Sequence, residues 1–127
     1  MGYYLIDTNT ISDYLAGDLP PAGMLFMDKV IDDMPIISVI TKIELLCWNC
    51  GIKMEQLVAE FINECTVINI NDDVIFHCAS IRKQNKTKLP DAIIAATAKQ
   101  YNYTLITNNE KDFIAIEGVI TKNPLTI

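Results

Sequence analysis

The sequence predicts an α/β fold, a mainly parallel sheet of about five strands with helices on both faces. Three observations carry this. Short apolar runs alternate with amphipathic stretches along most of the chain. The runs are nearly continuous in Ile, Leu and Val, as strands covered on both faces require. The chain has 127 residues, 50% hydrophobic and 20% charged, with five Gly and five Pro, which suits one compact domain over residues 1–127.

Taken in order, Tyr3 to Ile6, Ile36 to Val39, Thr66 to Ile70, Thr104 to Ile106 and Val119 to Thr121 read as strands. Thr10 to Ala16 places Ile11, Tyr14 and Leu15 on one helical face, and Ala22 to Asp32 does the same with Leu25, Phe26, Met27, Val30 and Ile31. Pro20-Pro21 separates these two helices. Thr41 to Cys50, Met54 to Glu64, Asp72 to Gln84 and Pro90 to Tyr101 supply four further helical patterns. Strand–helix–strand order of this kind calls for right-handed crossovers between parallel strands.

Ten Lys and Arg against sixteen Asp and Glu give a net charge of −6, which argues against broad, nonspecific attachment to a nucleic-acid backbone. Four of the ten basic residues, Arg82, Lys83, Lys86 and Lys88, nevertheless fall together just before Asp91. No apolar run approaches the ~20 residues that cross a bilayer. Met1-Gly2-Tyr3-Tyr4 lacks the charged start and long apolar stretch of a signal peptide, so a cytoplasmic location away from the membrane is expected. Cys47 and Cys50 form a lone C-x-x-C without a second pair, a poor zinc site. With Ile43 and Leu46 they follow the rhythm of a buried helical stripe, so reduced core thiols are expected.

In open α/β sheets ligands gather beyond the carboxyl ends of the strands. Asp7 follows the first strand, and the loop Thr107-Asn108-Asn109-Glu110-Lys111-Asp112 follows the fourth. Glu44 and Asp91 each fall in the predicted first turn of a helix facing the same rim. Carboxylates gathered from such distant segments disfavour one another's charged form and call for a cation. Each also has an ordinary role open to it. Glu44 completes a T-x-x-E capping box with Thr41, Asp91 complements a helix dipole, and Asp7 caps the following helix. Asp13, Asp28, Asp32, Asp33, Glu60 and Glu64 scatter over helix faces and are read as solvated.

Four segments carry a family resemblance. Leu5-Ile6-Asp7-Thr8-Asn9, Ile37-Ser38-Val39-Ile40-Thr41 leading to Glu44, Leu89-Pro90-Asp91-Ala92-Ile93-Ile94-Ala95-Ala96-Thr97-Ala98, and Leu105-Ile106-Thr107-Asn108-Asn109-Glu110-Lys111-Asp112-Phe113 resemble the motifs of a PIN-domain ribonuclease. The match is of the VapC toxin type, spans essentially the whole chain, and implies a PIN-like three-layer sandwich. It further implies a Mg²⁺- or Mn²⁺-dependent endoribonuclease, dimeric and held inactive by a cognate antitoxin. Carried over position by position, it assigns metal binding and catalysis to Asp7, Glu44 and Asp91, with Asn109 or Asp112 completing the set. Asn109 is a neutral amide where many relatives have an acid, although its carbonyl oxygen suits a hard cation. Thr8 and Asn9 would supply supporting hydrogen bonds. The implied substrate is single-stranded or looped RNA, with the basic residues before Asp91 on flanking phosphates. The segment Met24-Leu25-Phe26-Met27 is a candidate homodimer surface or ordinary core.

Other chemistries find less support. His77 has no nucleophile elbow to serve, and the position two after Asp7 is Asn9 where an aspartyl phosphatase needs a second acid. No phosphate loop is present in the sequence. The main alternative to the enzyme is a catalytically weak PIN-like module that binds protein or RNA.

Overall fold

The computed structural model describes residues 3–127; Met1 and Gly2, part of the segment weighed above as a signal peptide, lie outside the described residues. Five strands, β1 (Tyr4–Ile6), β2 (Ile36–Ser38), β3 (Thr66–Ile68), β4 (Thr104–Ile106) and β5 (Thr121–Lys122), form one sheet in the order β3-β2-β1-β4-β5. All four pairings are parallel. The α/β class, the parallel sheet and the layered arrangement expected from the sequence are therefore present.

Strand side chains alternate between two cores, as period-two geometry demands. Leu5, Ile36 and Leu105 enter one core, and Ile6, Ile37 and Ile106 enter the other. Over the first face lie α5 (Asp72–Gln84) and α6 (Leu89–Tyr101). Ala92, Ala95, Ala96 and Ala98 let α6 pack closely there. The opposite face is covered by α1 (Thr8–Ala16), α2 (Pro21–Asp33), α3 (Val39–Leu46) and α4 (Ile52–Glu64).

Local chemistry sets the helix ends. Asp7 caps α1 by accepting from the Thr8 amide at 2.8 Å, and Gly17 closes it at φ +75°, a left-handed conformation that suits glycine. Proline stands in the first turns of α2 and α6. Asn71 accepts from the Val74 amide at 2.9 Å to start α5.

Two expectations are corrected at α3. The helix is capped by Ser38, whose hydroxyl accepts from the Ile40 amide at 3.2 Å, so it starts before Thr41 and ends at Leu46. The face that packs inward is also not the expected one. Thr41 and Leu45 are buried, whereas Ile43 is 50% and Leu46 62% exposed. The stripe through Cys47 and Cys50 thus runs past the helix end, and Cys47 is an exposed free thiol. The Thr41–Glu44 capping box also fails, because Ser38 does the capping and Glu44 lies beyond the first turn. In α2, Met27 is buried and Phe26 packs edge-on against Tyr4, leaving Leu25 as the exposed apolar residue of its segment. No helix among the described residues is long and apolar enough to cross a membrane.

Candidate functional site

The parallel register builds the site's centre. Ile6 of β1 pairs with Ile106 of β4, so the next residues, Asp7 and Thr107, emerge side by side at the carboxyl rim. The Asp7 amide donates to the Ile106 carbonyl at 2.9 Å. Its Oδ1 accepts from the Thr8 amide at 2.8 Å and its Oδ2 from the Thr107 hydroxyl at 2.9 Å. Asp7 is only 5% exposed. Burial, aided by the charges of Asp91 and Glu44, pushes its carboxyl up to about 6 against the lowering effect of those two hydrogen bonds.

Glu44 is held from α1. The Thr8 hydroxyl donates to Glu44 Oε1 at 2.7 Å, and Thr8 Oγ1 lies 3.0 Å from the hydroxyl of the buried Thr41. A hydroxyl has one proton, so Thr41 is the donor in the second contact. The chain Thr41–Thr8–Glu44 thereby fixes a carboxylate whose charge is felt at Asp7 and Asp91.

Asp91 falls in the first turn of α6, as expected from Leu89-Pro90. Burial raises its carboxyl above the usual range, with the charges of Asp112 and Glu44 adding to the effect and Lys88 opposing it. Asp112 ends a 3-10 turn at Glu110–Asp112, and the Asn109 side-chain amide donates to its carboxylate. The Asn109 backbone amide donates to Thr107 Oγ1 at 3.0 Å, so one hydroxyl ties this loop to Asp7. The five residues singled out in the sequence therefore border one patch, although Asn109 turns its amide toward Asp112.

No three His, Cys, Asp or Glu side chains among the described residues are grouped closely enough to hold a metal ion between them. The carboxylates line an open wall whose members feel one another's charge. Every candidate donor is oxygen, and Mg²⁺ keeps several waters while taking one or two carboxylates, so the donor set fits a hydrated hard cation.

Two recesses adjoin the acids. One, of about 280 Å³, is lined by Lys86, Lys88, Asp91, Lys111 and Asp112 among others. Lys86 and Lys88 are where the sequence suggested phosphate contacts. Arg82 instead turns its Nε to the Thr87 carbonyl at 3.1 Å and braces that loop. The other recess opens beside Thr8 and Glu44.

Sequence reasoning missed Thr107, Lys111 and the Thr41 hydroxyl. The signal for Thr107 lay in strand adjacency: a residue directly after β4 must stand beside the one directly after β1. Asp13, read as solvated, accepts from the Asn108 side chain.

Against known proteins, the family model for the PIN domain matches residues 4–119. A chain of a solved toxin-antitoxin complex from Klebsiella pneumoniae is 31% identical, with a TM-score of 0.75 over 98% of this chain and 99% of that one. A chain of DNA-bound VapBC from Salmonella typhimurium is 20% identical, with a TM-score of 0.80 over 98% and 99%. FitAcB from Neisseria gonorrhoeae aligns at 24% identity and a TM-score of 0.75, again over 98% and 99%. No curated protein matches in sequence. With the family model covering nearly all of the chain, and the acids of four separate segments set around one sheet edge, the chain belongs to the PIN domain family.

Proposed function

We propose that the chain, as a single domain over residues 1–127, is a cytoplasmic metal-dependent endoribonuclease and the toxin of a toxin–antitoxin pair. The observation that carries this is Asp7, a carboxylate held by two hydrogen bonds and raised by its burial and, less, by two neighbouring acids. Burying such a group costs stability, and a bound cation would offset that cost.

In this reading Asp7, Glu44 and Asp91 surround a hydrated Mg²⁺ or Mn²⁺, with one or two of them bound directly and the rest through its waters, and Asp112 supplies the fourth carboxylate while Asn109 orients it. A divalent ion bound there would lower the pKa of a coordinated water and neutralise charge developing on the phosphate. Thr107 and the Thr8 amide keep both Asp7 oxygens facing fixed directions, and the Thr8 hydroxyl does the same for Glu44. Water attacks phosphorus, the P–O3′ bond breaks, and the products are a 5′-phosphate and a 3′-hydroxyl. Lys86, Lys88 and Lys111 hold neighbouring phosphates and so admit a polyanion to an acidic protein. A cognate antitoxin belongs to the same reading, supported by the likeness to toxin–antitoxin and VapBC complexes, and a homodimer is proposed with it. Exposed Leu25, Ile75 and Phe76 are apolar surface that such partners could cover.

Protein freed of antitoxin should cleave single-stranded RNA with Mg²⁺ or Mn²⁺, stop on addition of EDTA, and leave 5′-phosphate ends. Undiminished cleavage in chelator overturns the metal mechanism. The absence, among the described residues, of three closely grouped acids and the neutral Asn109 favour the weak binding module as the second reading. Metal-replete protein that binds RNA without cutting it would establish that reading instead.

A further inference from the structure

We propose that the recess beside Glu44 is a nucleobase pocket, in which Trp48 stacks on one unpaired base of the strand being cut; this rests on the nuclease reading above. The recess has a volume of about 310 Å³ and lies between α1 and α3, lined by Asn9, Ser12, Cys47 and Trp48 together with Thr8 and Glu44. Its size is at the small end of ligand sites, suited to one planar ring system. Thr8 and Glu44 belong to the acid patch as well, so a base seated here is continuous with a phosphate at the acids.

Trp48 lies just past the Cys47 cap of α3, with its amide donating to the Leu45 carbonyl at 3.2 Å. Trp48 is half-buried, packs against the α1–α4 core and also lines the recess, so it is anchored yet reachable from the recess. An aromatic face held in this way stacks on any base, because every base presents a π-face. Leu45 and Cys47 complete the floor, and the rest of the lining is polar. Asn9 is exposed in the first turn of α1 and offers an amide donor and acceptor. Ser12 gives its proton to the Asn9 carbonyl at 2.9 Å, which leaves its oxygen to accept.

The lysine-lined recess borders Asp91 and Asp112, whereas this one borders Glu44 and Thr8, and the two share no lining residue. A strand crossing the acids can thus place a phosphate among the lysines and a base against Trp48. A base can enter only if it leaves its own stack, so the pocket selects unpaired RNA over duplex.

Trp48 is the chain's one tryptophan, and its fluorescence reports on this recess alone. The Asp7→Asn protein with Mg²⁺ is titrated with a short single-stranded oligoribonucleotide, with the same backbone lacking bases, and with the paired duplex. Anisotropy of labelled strands measures binding in parallel. Only the single strand carrying bases should quench the tryptophan. Trp48→Ala should weaken its binding by roughly tenfold or more, and Trp48→Phe should retain most of it. If Trp48→Ala does not fold, the quench in the Trp48-containing protein and the loss on Asn9→Ala decide the matter. A strand that binds with no quench, or an equal quench by duplex, overturns the pocket while wild-type cleavage leaves the nuclease reading standing. Wild-type protein that cuts no RNA removes both.

Discussion

Thr107 and Asp7 are separated by 100 residues in sequence and by 2.9 Å between Oγ1 and Oδ2 in space. Adjacent parallel strands in register impose this pairing, and the same hydroxyl accepts from the Asn109 amide. Thr107→Val keeps the shape but leaves Asp7 Oδ2 without its donor. Loss of such a supporting contact typically lowers metal affinity about 10- to 100-fold. Metal titration should show that fall, and Thr107→Ser should restore affinity. A Thr107→Val protein with unchanged affinity would make the contact incidental.

Asp7→Asn separates catalytic need from folding need. The amide removes the anionic charge, so cleavage should drop by roughly 10² or more. A buried carboxylate whose pKa is raised to about 6 weakens the fold at neutral pH, because its charged form is disfavoured in the native state. Without metal, the variant should therefore melt several degrees higher than wild type in calorimetry. A lower melting temperature would mean that the hydrogen bonds from Thr8 and Thr107 outweigh the burial of charge.

Glu44→Gln isolates charge from geometry, because glutamine still accepts from the Thr8 hydroxyl. Turnover should fall by about 10²-fold while the melting temperature stays close to wild type. Wild-type turnover would return Glu44 to a purely structural role, holding α1 to α3.

These contacts show what the sequence could and could not disclose. Asp7 and Asp91 were legible because one follows an apolar strand and the other follows Leu89-Pro90, features decided within a few residues. Glu44 was found on the rim but in the wrong turn, since Ser38 outcompeted Thr41 as the cap and shifted the helix start. Ile43, Leu46 and Cys47 are exposed because α3 buries the face through Thr41 and Leu45 instead. Lys111 and Thr107 depend on which strands and loops become neighbours, information that no local pattern carries. The parallel sheet itself was readable because Leu5/Ile6, Ile36/Ile37 and Leu105/Ile106 are each apolar on both faces.

In the proposed reading Asn109 and Asp112 share one role: the Asn109 amide donates to the Asp112 carboxylate, and the charge of Asp112 adds to burial in raising Asp91, so Asp112 is proposed to supply the charge at the fourth position. Asp112→Asn should weaken metal binding and cut the rate strongly. Asn109→Ala should cost about 10- to 100-fold in metal affinity, by releasing Asp112. Asn109→Asp should do no better, since it sets a like charge against its partner. Tighter metal binding in Asn109→Asp would instead assign the fourth position to residue 109.

Lys88 and Lys111 line the same recess but stand differently toward the acids. Lys88 is the cation that lowers Asp91, whereas Lys111 extends the basic wall. Lys111→Gln should therefore raise KM and reduce the slope of log binding constant against log salt by about 0.7, the share of one phosphate contact on a single strand. Its kcat should be unchanged. Lys88→Gln should show the same salt effect and, in addition, move the acid limb of the rate profile to higher pH. The sign follows from Asp91: without the neighbouring ammonium its carboxyl rises further, so a higher pH is needed to ionise it. Salt-dependent binding and pH–rate curves for the two variants measure both effects, and an acid limb that stays in place in Lys88→Gln would show that Lys88 acts on phosphate alone.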